Sequence, residues 1–441
     1  MKNKIYIKEF TKYTSFNIIA MLSVSCYILA DTFFISFALG AYGLAALNFA
    51  VPVFGFILGA GLMLGIGGAT KYNIKKSQKD DRSANQAFTS TLWLMLGCIV
   101  FFVVCGLFFS HGIARAVGAN NEVFEMSRIY LQVILLFAPV LMTNTVLTCF
   151  IRNDGAPRLA MLAMVSNSFA NILFDYVFII RMELEMFGAA LATGLATITS
   201  LIMFLFYFIQ KRNGFHIIRC KLTGKSIIQI LGVGFPAFIT ELSVSVVMIT
   251  FNIIILRTSG NIGVAAFGVI ANILIVVISI YNGIAQGTQP LISRYYGKGD
   301  LGLVRLMLRY ALILMAGISV VVYLVIFFGA YQIVSIFNSE QNYYFQQLAT
   351  RGLRIYFVGG IFVGFNIILT TFFASIENVR PAHLISMLRG FVVILPMVFL
   401  LSYLGGITGV WLSFPVTELI VSVVGIYLYM KMKESLLSKL S

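Results

Sequence analysis

The chain is a succession of apolar runs, each long enough to cross a lipid bilayer. A helix needs about 20 residues to span roughly 30 Å of hydrocarbon. In these runs, apolar residues would occupy every face of a helix, whereas a soluble helix would confine them to one face at a period of about 3.6 residues. The sequence therefore predicts an all-α integral membrane protein with twelve transmembrane helices, at about 13–39, 44–70, 87–110, 126–151, 157–181, 187–210, 229–256, 263–290, 305–329, 350–376, 381–404 and 407–432.

Charged residues are few and unevenly placed. They make up 11% of the chain, against about 25% in soluble domains, and the mean hydropathy is +0.95. If the first span starts inside, the inner segments hold 25 of the 31 Lys and Arg residues. By the positive-inside rule this predicts cytoplasmic termini, with residues 1–12 along the inner membrane surface. The net charge of +15 thus reflects topology and does not indicate nucleic-acid binding.

The stretch 43–80 has a counterpart at 263–300. Both begin with Gly-x-Ala-Ala, continue through a long apolar run and end in a basic segment that closes on Asp. The repeat predicts a first lobe at 1–210, a cytoplasmic linker at 211–228 and a second lobe at 229–441. Six spans per lobe give both lobes the same orientation, with a pseudo-symmetry axis along the membrane normal and a cleft between them.

Four acidic residues fall inside the predicted spans: Asp31, Asp175, Glu241 and Glu418. A charged side chain at the centre of a span costs about 2.5 to 3.5 kcal/mol on insertion scales, so each of these residues is a candidate for function. Glu241 and Glu418 lie near mid-depth in the second lobe, where they would attract cationic substrates if they face the cleft. Asp175 and Glu418 are also open to a purely structural interpretation, as hydrogen-bonding groups between helices.

A polar layer is predicted in the first lobe. At about 1.5 Å per residue, Asp31 and Asp175 both lie about 27 Å from the inner ends of their spans. Two carboxylates crowded in a low dielectric cannot both stay charged cheaply, so the pair requires a proton or a bound cation. The predicted cation-coupling residues, which could also hold Na⁺, are Asp31, Asn171, Asp175 and Thr193, with Tyr27 one helical turn from Asp31.

Other features narrow the function. Pro139 is expected to kink the fourth span, and Asn144 and Gln286 are further candidates for the substrate cleft. The five Cys show no CxxC spacing, so neither a disulfide framework nor a zinc site is expected. The three His fall at or beyond span ends, which disfavours a membrane-embedded enzyme, and no cofactor is expected besides a coupling ion.

Several motifs in fixed order resemble the multidrug and toxic compound extrusion (MATE) family, and the chain is most similar to its MepA-like bacterial branch. They are ADTFFI, GLAALNFAVP, GIGGAT, RNDGAPRLAM, NILFDYVFI, GAALATGLAT, VGFPAFITELS and YNGIAQGTQPLISRYYGKGD. The resemblance covers about residues 13–430. It implies two six-helix lobes that export organic cations across the bacterial cytoplasmic membrane in exchange for H⁺ or Na⁺.

The resemblance also implies site residues and partners. The first-lobe cation site of the family maps onto Asp31, Asn171, Asp175 and Thr193, with Tyr27 beside it. Span ten has no acidic residue, and Glu241 is one turn from the position found in some Na⁺-driven members, so coupling through Asp31 is favoured. The expected partners are small organic cations and membrane lipids, with no nucleic acid, and the protein is expected to be a monomer.

A lipid-linked saccharide flippase of the same architecture is the alternative. Its cleft would need Arg or Lys to bind pyrophosphate. The predicted spans offer almost none, although Arg257 and Arg354 near span ends leave some room for it.

Overall fold

The computed structural model describes residues 2–119, 121–338 and 341–437, and these form helices without any strand. Within these ranges, nine helices are long and apolar enough to cross a membrane, and one bent pair makes a tenth. Two of the nine are each divided by a glycine with positive φ, Gly260 and Gly406. The predicted number of twelve spans is thereby confirmed. Lys439, which contributed to the predicted inner charge, lies outside the described residues.

We number the spans α1 to α12 in chain order. They are α1 Lys4–Gly40, α2 Tyr42–Ser77, α3 Asp81–Ala116, α4 Phe124–Leu136 with Ala138–Asn153, α5 Pro157–Arg181, α6 Glu185–Ile209, α7 and α8 within Gly224–Gly297, α9 Leu301–Phe337, α10 Tyr343–Ser375, and α11 and α12 within Val379–Glu434. We call the end of the bundle that carries the loops 78–80, 154–156, 210–223, 298–300 and 376–378 the basic end.

The internal repeat is visible in the backbone. Gly40 breaks α1 from α2 with φ 61°, and Gly260 breaks α7 from α8 with the same φ. A left-handed φ costs glycine little, since it has no Cβ. At the other end of each repeat, Asp80 and Asp300 accept a hydrogen bond from the main-chain N–H three residues on, at 3.0 and 2.9 Å. These are N-caps that satisfy a free donor of the following helix.

Local irregularities interrupt several helices, and three of them lie near buried polar residues. The two parts of α4 meet at 52°, next to Pro139, which confirms the predicted kink. The last turns of α5, Tyr176–Arg181, and a turn of α11, Leu388–Val392, are π-helical. Such turns often occur at functional sites because they re-aim neighbouring side chains. They lie directly after Asp175 and around Arg389.

Two hydrophobic cores correspond to the two halves of the sequence. One contains buried residues from Ile35 to Ile230, and the other contains residues from Val233 to Val421. The second core also includes Phe10 and Tyr13 of α1. The start of α1 therefore packs against the second half of the chain.

Glycines let the halves approach closely. A methyl group at Gly67 of α2 would overlap the carbonyl of Ile230 in α7, and one at Gly287 of α8 would lie 2.7 Å from the Cα of Thr14 in α1. Gly67 and Gly287 are equivalent positions of the repeat. The same close contact is thus made twice, with the roles of the two halves exchanged.

A buried polar network joins the halves near the basic end. Asn73 of α2 donates to Asn153 of α4 at 3.0 Å and to Ser293 of α8 at 2.8 Å. Asn153 donates to Gln289 of α8 at 3.0 Å, and Gln289 donates to Thr70 of α2 at 2.8 Å. The network closes the bundle at this end, because buried amides that are mutually satisfied hold helices in one arrangement.

Two expectations about the termini of the lobes differ from the structure. Residues 2–12 belong to the same helix as the first span, and Glu9 forms an ion pair of 2.7 Å with Arg294 of α8, so these residues do not form a separate segment along the membrane surface. The connection between the halves is shorter than 211–228, since α7 begins at Gly224. Asp154 anchors this connection by accepting from the N–H of Gly214 at 2.7 Å.

Candidate functional site

A polar cavity lies inside the first half of the bundle, and side chains of α1, α2, α4, α5 and α6 line it. Its polar residues are Tyr27, Asn144, Thr145, Asn167, Asn171, Thr193 and Thr197. The amide of Asn171 donates to the hydroxyl of Thr193 at 3.4 Å. Thr193 in turn donates to Ala189 of its own helix at 3.2 Å, which fixes its hydroxyl oxygen toward α5. The structure therefore brings Tyr27, Asn171 and Thr193 together.

Asp31 and Asp175 each follow a lining residue of this cavity, Tyr27 and Asn171, by one helical turn, and neither forms an ion pair with a base among the described residues. Asp175 is 0% exposed, and neither of its carboxylate oxygens has a hydrogen-bond partner among the described residues. One oxygen of Asp31 and the amide oxygens of Asn144 and Asn171 are likewise buried and unpaired. Five acceptor oxygens thus lack donors, although buried polar groups are normally hydrogen-bonded.

The two carboxylates interact with each other through space. Asp31 lies within electrostatic range of Asp175. Tyr27 and Tyr130 lie within range of both carboxylates. Among the described residues, no Lys or Arg forms an ion pair with either one. A fully buried carboxylate, Asp175, near a half-buried one, Asp31, without a basic partner is stabilised by a proton or a cation between them.

The donor set suits a small hard cation. Carboxylate, amide and hydroxyl oxygens are the ligands that hard cations prefer, whereas transition metals favour imidazole and thiolate. No group of three or more His, Cys, Asp or Glu that could hold a metal occurs in the ranges that the structure describes. The unpaired oxygens of Asp31, Asp175 and Asn171 therefore fit Na⁺ or a proton better than zinc or iron.

A second cavity lies between the two halves. Residues of α2, α4, α7, α8, α10 and α11 line it, and its charged or amide side chains are Arg152, Glu241, Asn282, Gln286, Gln289 and Arg389. Glu241 packs against Gly59 of α2, where an added Cβ would be 3.2 Å from the Cβ of Glu241. Glu241 is also within electrostatic range of Tyr27. Glu241 is thus the acidic residue of the central cavity that lies against the first half of the bundle.

Arg152 is a residue of the central cavity that was not predicted as a site residue. The predicted span 126–151 leaves Arg152 among the inner segments, but it is 3% exposed and lies in the last turn of α4. Its guanidinium donates to the side-chain oxygen of Gln286 in α8 at 2.7 Å. Gln286 was predicted to lie in the cleft, and the structure places it there.

Arg389 contributes a second guanidinium to the central cavity. Its Nε donates to Glu418 of α12 at 2.7 Å, and the amide of Asn366 in α10 donates to the other oxygen of Glu418 at 2.7 Å. Asn366 also donates to the main-chain oxygen of Glu418 at 2.9 Å. Glu418 is 2% exposed, and its charge is neutralised inside the second half.

Two predicted cleft residues therefore lie elsewhere. The carboxylate of Glu418 is engaged by Arg389 and Asn366, so it acts between helices, and Arg389 is the member of the pair that lines the central cavity. Asn144 lines the first-half cavity with Asn171, because the bend of α4 beside Pro139 turns this part of the helix toward α5. Glu241 does line the central cavity.

Comparisons with known proteins agree on one family. The family model MatE matches residues 17–177 and 236–400. The chain is 27% identical over 408 residues to the multidrug export protein MepA of Staphylococcus saprophyticus, covering 91% of this chain and 88% of that protein. It is 27% identical to MepA of Staphylococcus aureus strain MRSA252, covering 90% of this chain and 87% of that protein.

Solved structures share the fold over nearly the whole chain. An outward-facing multidrug resistance MATE family transporter of the MOP superfamily superposes with a TM-score of 0.91 at 25% identity, covering 98% of this chain and 96% of that one. A MOP superfamily transporter from Pyrococcus furiosus superposes with a TM-score of 0.90 at 26% identity, covering 98% and 96%. For that protein, reverse polarity of the binding pocket has been taken to suggest a different function. These matches confirm the twelve-helix, two-lobe architecture.

Proposed function

Because the chain belongs to the MatE family of membrane transporters, we propose that it is a multidrug antiporter that exports organic, mainly cationic, compounds in exchange for H⁺ or Na⁺. The observation that supports ion coupling is the set of five unpaired, buried oxygens of Asp31, Asn144, Asn171 and Asp175. A site that needs a cation for stability binds one when it is available. The MepA relatives, which are multidrug export proteins, support the export of diverse substrates.

The coupling would act through α1 and α7. A cation between Asp31 and Asp175 removes their repulsion and draws α1 toward α5. Tyr27 lies one turn from Asp31 and within electrostatic range of Glu241 in the central cavity. Occupation of the first site therefore changes the field at Glu241, where a cationic substrate would bind. The ion shifts the conformational equilibrium because its affinity differs between the two arrangements.

The lobes 1–210 and 229–441 are proposed to rock about the central cavity, with the basic end at the cytoplasm and the protein acting as a monomer. The polar network of Asn73, Asn153 and Gln289 would close the cytoplasmic side in the present conformation. An introduced thiol at an exposed site in the connection, Lys221→Cys, tests the orientation in a background in which the five native cysteines are replaced by Ser. A membrane-impermeant maleimide should label it in inside-out vesicles and leave it unlabelled in intact cells, and the reverse result would place the basic end outside.

The antiport proposal is tested in proteoliposomes loaded with a fluorescent organic cation. Either an imposed pH gradient or an imposed Na⁺ gradient should drive transport by the wild type, and the active gradient identifies the ion. Asp31→Asn should abolish this transport, because the amide cannot exchange a proton and has no charge for Na⁺. Asp81→Asn is the matched control, since the Asp81 side chain is 68% exposed. Equal transport by both variants would contradict the role of Asp31.

A lipid-linked saccharide flippase is the second candidate. Arg152 in the central cavity supplies an unpaired guanidinium of the kind that pyrophosphate recognition needs, whereas the second guanidinium there, that of Arg389, is paired with Glu418. If neither gradient moves the dye and the protein binds an isoprenyl pyrophosphate with Arg152 required, the flippase replaces the antiporter. If the dye moves with a gradient, the antiporter stands.

A further inference from the structure

The central cavity contains a buried guanidinium with no anion beside it. Arg152 is 3% exposed, and among the described residues no carboxylate lies within ion-pair distance of it. Its protein contacts are the neutral side chain of Gln286, at 2.7 Å, and the sulfur of Met164, at 4.0 Å. Its Nε–H is buried and has no acceptor in the described part of the chain.

This arrangement is unfavourable without a further group. A buried charge is normally paired, because transfer from water into a low-dielectric interior costs several kcal/mol. The oxygen of Gln286 accepts one hydrogen bond and brings no compensating charge. Arg389, on the opposite half of the same cavity, shows the usual solution, since Glu418 neutralises it at 2.7 Å. Arg152 therefore has donors and charge to offer that no described residue takes up.

We propose that Arg152 binds an acidic group of the transported molecule, so that the cavity accepts zwitterionic amphiphiles as well as cations. A carboxylate or phosphate would receive the free Nε–H and restore a paired charge, in the geometry that makes guanidinium a strong carboxylate ligand. Glu241 lies in the same cavity and would face an ammonium or another cationic centre. Leu62, Ile66 and Val233 provide apolar surface for the body of the molecule.

This inference rests on the proposed function only in taking the central cavity as the substrate site. It does not depend on the coupling ion or on Asp31. It can therefore be tested by equilibrium binding, with no gradient, and its failure is separate from the failure of antiport.

The test compares two rhodamine dyes that differ at one position, a free benzoate and its methyl ester. Binding to the purified full-length protein in lipid nanodiscs is followed by fluorescence polarisation. The wild type should bind the benzoate form about tenfold more tightly than the ester. Arg152→Gln should weaken binding of the benzoate form about tenfold and leave the ester within about twofold, because a charge-assisted hydrogen bond to the acid is lost.

Two variants provide controls. Arg152→Lys retains a cation and should keep part of the preference for the acid. Arg82→Gln, at an exposed residue in the first turn of α3, should leave binding of both dyes unchanged. Equal losses for both dyes in Arg152→Gln would show that Arg152 only supports the cavity, which overturns the proposal. Should Arg152→Gln not fold, equal affinity of the wild type for the two dyes would overturn it as well.

Carboxylates and phosphates share the chemistry that Arg152 recognises. Competition by farnesyl pyrophosphate, present as a micelle-free monomer, distinguishes these sources. If farnesyl pyrophosphate displaces the benzoate dye from the wild type but not from Arg152→Gln, the result supports the acid site and assigns it to a lipid phosphate. Dye binding that depends on Arg152 and resists farnesyl pyrophosphate supports the site and assigns it to carboxylates of small molecules.

Discussion

The two halves of the protein each bury acidic residues, but they treat them in opposite ways. In the second half, Glu418 is 2% exposed and receives hydrogen bonds from Arg389 and Asn366, both at 2.7 Å. In the first half, Asp175 is 0% exposed and neither oxygen has a partner among the described residues. Burial is nearly equal at the two sites, and only the supply of donors differs.

The comparison shows which buried carboxylate is free to bind something. Breaking a buried ion pair leaves an uncompensated charge, so a paired carboxylate such as Glu418 is held in place by its own partners. Any cation that reaches an unpaired buried carboxylate such as Asp175 stabilises it, because it compensates the buried charge. The count of unsatisfied acceptors therefore indicates function better than depth in the membrane does.

Removal of the charge at Glu418 should have the largest effect on stability. Glu418→Gln leaves Arg389 buried without an anion, and we expect a loss of about 3 to 5 kcal/mol in the free energy of unfolding. Thermal unfolding of the purified protein in detergent measures it. The control is Glu125→Gln, because Glu125 is 65% exposed in its pair with Arg128 and such pairs contribute about 0 to 1 kcal/mol. Equal losses in the two variants would show that the buried pair of Glu418 and Arg389 contributes no more to stability than an exposed ion pair.

Removal of a neutral polar side chain whose hydrogen bonds are satisfied should have an intermediate effect on stability. Asn153→Ala removes the bonds to Asn73 and Gln289, both 3.0 Å, and leaves buried amides unpaired. We expect a loss of about 1 to 3 kcal/mol in the free energy of unfolding. Gln78→Ala, which removes an exposed bond from Lys75, is the control. A loss no larger than that of the control would mean that water molecules replace the hydrogen bonds that Asn153 makes.

Removal of the unpaired carboxylate should have the smallest effect on stability. Asp175→Asn deletes a buried charge that no described residue compensates, so we expect the melting temperature to stay within about 2 to 4 °C of the wild type. Gradient-driven efflux should nevertheless be lost, because the cation site is incomplete. The same proteoliposome assay checks this. Destabilisation as large as that of Glu418→Gln would show that Asp175 is a structural residue.

Much of the fold was predictable because the membrane restricts the solutions. Apolar runs of sufficient length define spans, and the repeat of 43–80 at 263–300 defines two similar halves. The polar layer also followed from sequence, since a constant rise per residue converts position into depth. This placed Thr193 near the level of Asp31 and Asp175, with Asn171 one turn lower in the same layer, and the structure brings Asn171 and Thr193 within 3.4 Å of each other.

The pairing of charges was not predictable from one sequence. Arg389 and Glu418 are 29 positions apart on neighbouring helices, and their contact depends on the rotation of each helix and on a π-turn at Leu388–Val392. Arg152 was misplaced for a different reason. Charge counting treats every Arg near a span end as part of a loop, whereas α4 continues to Asn153 and keeps Arg152 inside the bundle.

The contact of α1 with α8 also bears on the order of biosynthesis. Glu9 and Tyr13 bind Arg294 and Tyr295, which lie more than 280 positions later in the chain. These contacts cannot form until the ribosome has delivered the eighth span. Contacts of such high sequence separation form slowly, because a long loop must close first. Helix α1 is synthesised before α8 and is therefore locked in place late, and until then lipid or a chaperone covers the surface that α8 will contact.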